Sequence, residues 1–245
     1  MKYRHKASRS KVSQAGFTIV ELMIATTVFS MVLLVIIYGV ISFTRAYYSG
    51  INSSSTQDTA RNVVNTVAQA IEFSGNIITK SGSVGGGNPA YYFCVGGTTY
   101  YYIPGVKFNS TQAVSSTNPG LFAEPGACNP SPNFSDPKGQ ELLGNAMRVT
   151  YMSVRSVPTN SRLYTVSIGL AYGDADLLCN HSIGSGKGSC VSGQPTYTLG
   201  PPEDPVVGTD ANDVVCKLAA GEQYCAHAGL TTTVSLRVAS SELQP

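Results

Sequence analysis

The sequence predicts an α+β protein: one long N-terminal helix lying on an antiparallel β-sheet head with disulfide-closed loops. Three observations carry this. An apolar run, almost unbroken, extends from Phe17 to Phe43 behind a basic leader. A Pro-free stretch then continues to about residue 79 with apolar residues at helical spacing. From residue 90 onward, short β-branched and aromatic runs alternate with turn signals, and all six Cys lie in this last region.

The leader is residues 1–16. It holds Lys2, Arg4, Lys6, Arg9 and Lys11 and no acid, so the formal net charge of +2 is local to it. Outside it, 11 of the 16 basic residues face 14 acidic ones. That balance excludes a basic nucleic-acid-binding face. Charged residues make up only 12% of the chain, roughly half the usual soluble share.

The first helical segment is residues 17–43. From Leu22 to Phe43 there is no charge, and at about 1.5 Å per residue this reaches roughly 33 Å, enough to cross a bilayer. The leader's charge places residues 1–16 in the cytoplasm and the bulk of the chain outside. A secretory signal peptide fits poorly, because Phe43-Thr-Arg-Ala-Tyr-Tyr-Ser is a poor cleavage site and the run is long. A lipoprotein needs a Cys at the cut, and the first is Cys94. A plain uncleaved anchor leaves Gly16-Phe17 and Glu21 unexplained. A lone carboxylate at membrane depth costs about 2.5–3.5 kcal/mol, so Glu21 needs a partner or a place at headgroup level.

The stretch Gly16-Phe17-Thr18-Ile19-Val20-Glu21-Leu22, with its basic leader and long apolar helix, resembles the processing signal of type IV prepilins and type II secretion pseudopilins. The resemblance implies the type IV pilin fold. It also implies a cut by a prepilin peptidase between Gly16 and Phe17, on the cytoplasmic side, and N-methylation of the new amino terminus at Phe17. Glu21, fifth in the mature chain, would set register by meeting the amino terminus of an adjacent subunit. One departure is the absence of a mid-helix Pro. Gly39 is the only helix-weakening residue before Phe43, at about 1 kcal/mol.

Residues 44–79 are predicted to continue the helix as an amphipathic half. Ala60, Val63, Val64, Val67, Ala70, Ile71, Ile77 and Ile78 form its apolar face, for a total helix of roughly 90 Å. "GINSSST" at 50–56 is the place where it is expected to bend or fray, and "SGSVGGGNP" at 81–89 ends it as a flexible turn.

The head is residues 80–245. "AYYFCVGGTTYYYI" (90–103) predicts a hairpin through Gly96-Gly97. Residues 104–145, with six Pro, are expected to be mostly loop. "MRVTYMSVRSV" (147–157) and "LYTVSIGLAY" (163–172) predict a second hairpin, the latter with Tyr164, Val166, Ile168, Leu170 and Tyr172 on one face. "TTTVSLRVA" (231–239) is a last strand, and one sheet face is expected to cover the helix stripe. "LTTTVSLRV" and "ARNVVNTVAQAIEFSGN" (60–76) are similar to segments of the PilW-type minor pilins, related to the J-type minor pseudopilins.

Six Cys allow 15 connectivities. Sequential pairing is the simplest: Cys94–Cys128, Cys179–Cys190 and Cys216–Cys225. It implies an oxidising compartment.

Enzymatic and cofactor motifs are missing. "GSGKGS" (184–189) fails as a phosphate loop, because Gly188 follows Lys187 and His181 stands where the first Gly belongs. That excludes a nucleotide site, and no Gly-x-Ser-x-Gly occurs. Asp174 and Asp176, or Asp204, Asp210 and Asp213, lack EF-hand spacing and read as solvated loop acids. The expectation is a non-enzymatic subunit with no cofactor and no metal. The resemblance implies a minor pilin in or at the tip of a type IV pilus that helps initiate assembly, in filaments that serve adhesion, twitching motility or DNA uptake. Its partners would be the peptidase, other pilin subunits through the helix, and the inner membrane before assembly at the cell surface. Two alternatives stand: a minor pseudopilin of a type II secretion system, and a membrane-anchored extracytoplasmic binding domain. Nothing in the head singles out DNA or a surface ligand.

Overall fold

The computed structural model describes residues 16–74, 81–84, 90–115, 117–128, 133–134, 138–180, 214–217 and 221–237. The chain divides into two compact units, Met1–Arg45 and Ala46–Pro245, and one helix, α1 (Ile19–Glu72), has residues in both. In the first unit every described residue is exposed.

The second unit holds the core. Thr56, Ala60, Val63, Val64, Val67 and Ile71 are the buried residues of α1, spaced along one stripe. The apolar five, Ala60 to Ile71, pack in one cluster with side chains from two antiparallel sheets. The first sheet is a meander of β1 (Ser81–Val84), β2 (Ala90–Val95), β3 (Thr98–Tyr102), β4 (Leu121–Pro125) and β5 (Gln140–Glu141), in that order. It contributes Phe93, Val95, Tyr100, Tyr102 and Leu121. The second has β7 (Asn160–Tyr172) between β6 (Met147–Val157) and β10 (Ala226–Ser235). It contributes Val149, Met152, Val166, Ile168, Leu170 and Val234. A short ribbon of β8 (Leu178–Asn180) and β9 (Val214–Cys216) makes a smaller cluster with Ala171 and Cys225. Ala171 alternates with Leu170, so β7 is covered on both faces at its C-terminal end.

The architecture is the expected long helix packed on antiparallel sheet, with differences in detail. Two sheets share the helix stripe where one was expected. The predicted hairpins form: β2 pairs with β3 across Gly96 (φ 56°) and Gly97 (φ 80°), the left-handed pair that a two-residue turn demands. β6 pairs with β7 with a register shift between Val149 and Tyr151. Residues 104–145 are less loop-like than their prolines suggest, since they hold β4 and β5. Pairing to β3 overrides weak local propensity there, and Pro125 closes β4 at its last position. Part of "SGSVGGGNP" is strand: Ser81–Val84 pairs with β2.

The "GINSSST" segment stays helical. Thr56 is buried and its hydroxyl donates to the Asn52 carbonyl, while the Asn52 amide donates to the Gln223 carbonyl. Tertiary contact thus holds the predicted weak point. The helix ends at Glu72, earlier than the expected 78–79; residues 75–80 lie outside the described residues. Its end is capped from afar. The Arg237 backbone N–H donates to the Glu72 carbonyl at 3.1 Å, and the Arg237 guanidinium pairs with the Glu72 carboxylate at 2.9 Å. A carbonyl left over at the helix terminus is satisfied this way.

Candidate processing and assembly site

The site begins where the chain is not yet helical. Gly16, Phe17 and Thr18 precede α1 without regular structure, and Phe17 is 91% exposed. Among the described residues, chain neighbours apart, no heavy atom stands within 4 Å of where a Cβ on Gly16 would sit. Gly16 and Phe17 are both exposed, as residues flanking a bond presented to a protease cleft must be.

Glu21 is not a solitary carboxylate. Its Oε2 accepts hydrogen bonds from the Thr18 backbone N–H and from the Thr18 hydroxyl, both at 2.9 Å. The Glu21 N–H donates back to the Thr18 hydroxyl oxygen at 3.2 Å. Thr18 and Glu21 thus form a capping box, which satisfies two of the four N–H groups that a helix start leaves over. The positive end of the helix dipole favours the carboxylate in this first turn. The sequence reading overlooked this in-chain partner and missed Thr18, although Thr-x-x-Glu before an apolar run is its signature.

Behind the box comes the apolar helix. α1 is long and apolar enough to cross a membrane, and its side chains from Ile19 to Phe43 are exposed in the isolated chain. Four of its hydroxyls are turned onto the helix itself. Thr26 donates to the Met23 carbonyl, Thr27 to Ile24, Ser30 to Thr26 and Thr44 to Val40, at 2.7–3.0 Å. Self-satisfied hydroxyls make the surface cheap to place in lipid or against another apolar helix.

The cysteines lie in the head. Cys94 on β2 is bonded to Cys128 just after β4, with Cα atoms 5.5 Å apart, and Cys216 on β9 to Cys225, with Cα atoms 5.8 Å apart. Cys179 on β8 is also disulfide-bonded; Cys190, its expected partner, lies outside the described residues. So do His181, the 184–189 stretch, Asp204, Asp210 and Asp213. Asp174 is ion-paired with Lys107, whose hydrogen bond and charge hold its carboxyl below the ordinary range. Among the described residues no group of three His, Cys, Asp or Glu is placed to hold a metal ion.

No curated protein and no solved structure matches the chain. A family model for the prokaryotic N-terminal methylation motif matches residues 11–37, the span that contains the exposed Gly16 and Phe17, the Thr18–Glu21 box and the start of the apolar helix. The N-terminal segment is a prepilin-type methylation motif, and it supports a structural subunit of the pilin or pseudopilin kind.

Proposed function

We propose that this chain is a minor pilin, made as a single-pass membrane precursor and then built into or onto the tip of a type IV pilus. The observation that carries the reading is the sequence of parts at the N-terminus. An exposed Gly16–Phe17 pair leads directly into a capped helix, whose next 22 residues from Leu22 are uncharged and exposed. A prepilin peptidase would cut after Gly16, and the amino group of Phe17 would be methylated. The freed apolar helix would pass from the membrane to a bundle of like helices, exchanging lipid contacts for subunit contacts at little desolvation cost. Glu21 would fix the axial register of that bundle. The β-rich head, disulfide-bonded and extracytoplasmic before assembly, would then stand at the cell surface.

N-terminal mass analysis of the membrane fraction tests the reading. Methyl-phenylalanine at Phe17 is the expected result, and a chain that keeps its leader refutes it. Replacing Glu21 by Val is expected to leave membrane insertion intact and to impair assembly. Whether the subunit serves a pilus or a secretion pseudopilus is decided by which assembly co-purifies with it. The minor-pilin reading predicts sheared surface filaments.

A further inference from the structure

β10 stands at one side of its sheet, and its register shows which backbone groups are in use. Ala226 to Ser235 pairs with Tyr172 to Leu163 without a shift. The next pair in line is Leu236 and Arg162, where the Leu236 N–H donates to the Arg162 carbonyl at 2.9 Å. Bonding direction alternates along an antiparallel strand. Residues of even number therefore bond to β7, and those of odd number turn their N–H and C=O groups to the outer side. Arg237 follows the same parity: its N–H goes to the Glu72 carbonyl and not to β7. Over residues 229–235 the outer groups belong to Gly229, Thr231, Thr233 and Ser235. Among the described residues no strand lies along them. All four residues are exposed, and the exposure of Gly229 is that of backbone alone.

Proteins commonly blunt such an edge with charge, Pro or a bulge. β6, the opposite edge of the sheet, carries Arg148 and Arg155 and has two register shifts. Its first carbonyls, on Met147 and Val149, accept from the Phe108 and Gly105 N–H groups at 2.8 Å. β10 has no Pro, no Lys, Arg, Asp or Glu, and no shift.

The backbone pattern names the occupant. Alternating donors and acceptors that repeat every about 7 Å are matched by another extended polypeptide. The side chains beside them set its chemistry. On the core side Ala228 and Leu230 are half-buried and pack against the main cluster. On the other side Thr231, Thr233 and Ser235 are small and uncharged. The matching strand alternates apolar residues toward the core side with small polar ones. A second copy of β10 fits badly. The Gln223 carbonyl meets Asn52 before β10 begins, and Arg237 meets Glu72 after it ends, so β10 runs along residues 52–72 of α1 in the helix direction. Antiparallel pairing of two copies would oppose their helices, whereas the bundle proposed above holds like helices pointing one way. A two-fold parallel pair fails on parity. Parallel strands bond when outward residues of one lie level with inward residues of the other, and a two-fold axis sets like against like.

We propose that the outer edge of β10, over residues 229–235, is a docking site where an extended segment of a different protein chain adds as the fourth strand of the sheet. The open edge is independent of the pilin-type reading; the choice of a different chain over a second copy rests on it.

Amide hydrogen exchange on the full chain in detergent micelles, read residue by residue, tests this. The probe is a synthetic peptide copying residues 163–171, LYTVSIGLA, whose alternation already suits β10 from its other side. In the chain alone, the Leu230, Thr232 and Val234 amides are expected to exchange slowly and those of Gly229, Thr231, Thr233 and Ser235 fast. The peptide is expected to slow the second set about tenfold or more and to leave the first unchanged. Thr233→Pro removes one outward N–H and no bond to β7. It is expected to weaken peptide binding about tenfold, while slow exchange at Leu230, Thr232 and Val234 shows that the variant has folded. If the outer amides are already slow in the monomeric chain, the edge is covered from within and the proposal is overturned. Protection that rises with chain concentration in the absence of peptide assigns the edge to a second copy and also overturns it. So does a peptide that leaves the outer amides fast, or that protects them equally in Thr233→Pro. A chain found with its leader intact would sink the pilin-type reading without altering these rates.

Discussion

Glu21 has two tasks that a single substitution confounds. Its carboxylate closes the helix cap with Thr18, and in the proposed filament it carries a charge to a neighbouring subunit. Glu21→Gln separates them. Gln completes a capping box as Glu does, so the helix start should survive, whereas the charge is gone. If charge pairing sets register, Glu21→Gln should impair filament yield as severely as Glu21→Val. If the cap alone matters, Gln should restore the yield that Val loses. Thr18→Ala should cost about 1 kcal/mol at the helix start and leave cleavage at Gly16 intact by mass analysis. A second carboxylate was not singled out from the sequence. Glu141 is largely buried on β5, and one oxygen accepts from the Leu121 and Leu143 N–H groups at 2.9 and 2.7 Å. Its other oxygen is buried with no hydrogen-bond partner among the described residues. Burial outweighs those bonds and pushes the carboxyl up to about 7. Because its folded value lies above the unfolded one, its protonated form favours folding. That contribution is full below about pH 4.5 and is lost as pH rises through 7, on the order of 3 kcal/mol. Urea titrations between pH 5 and 8 should show a stability loss that shrinks in Glu141→Gln. Gly120 (φ 73°) lies against this carboxylate, and a Cβ there would fall 1.8 Å from Oε2. Gly120→Ala should therefore displace Glu141 and destabilise the head at every pH.

At the level of elements, what was legible in the sequence was what local pattern dictates. The Gly96-Gly97 turn needs two left-handed residues in succession, and few pairs other than Gly-Gly supply them. β6 and β7 show the period of two and come out at or near their expected bounds. The helix stripe from Ala60 to Ile71 was readable from its spacing, and it is the stripe that is buried. Elements formed by remote pairing were not legible. β4 and β5 are short and lie in a Pro-rich segment; β4 forms on the edge that β3 offers, and β5 on the edge of β4. The end of α1 at Glu72 depends on Arg237, 165 positions away, which no local signal announces. The Thr18–Glu21 box was fully written in the sequence, but the charge of Glu21 drew attention from its local bond. The stripe gives a direct test. Ile71 is fully buried in the main cluster, so Ile71→Ala should cost about 2–5 kcal/mol, read as a lower denaturant midpoint with little change in slope.

At the scale of the whole molecule, the head combines its main core with covalent closures, two of whose cysteines, Cys94 and Cys225, are themselves buried. In the chain-entropy account, the Cys94–Cys128 bond, 34 residues apart, contributes about 4 kcal/mol, and the Cys216–Cys225 bond, 9 apart, about 3 kcal/mol. Replacing Cys94 and Cys128 by Ser should lower the head's unfolding midpoint more than the same change at Cys216 and Cys225, and reductant should abolish the difference. The Arg237–Glu72 closure also has a consequence for timing. Val234 belongs to the core cluster that covers α1, and Arg237 caps its end. The stripe up to Ile71 leaves the ribosome well over a hundred residues before β10. At 5–20 residues per second that gap lasts about 8–30 s. For that interval the chain carries a second apolar helix face with nothing folded to meet it. The nascent chain must therefore be kept from aggregating until its final strand arrives.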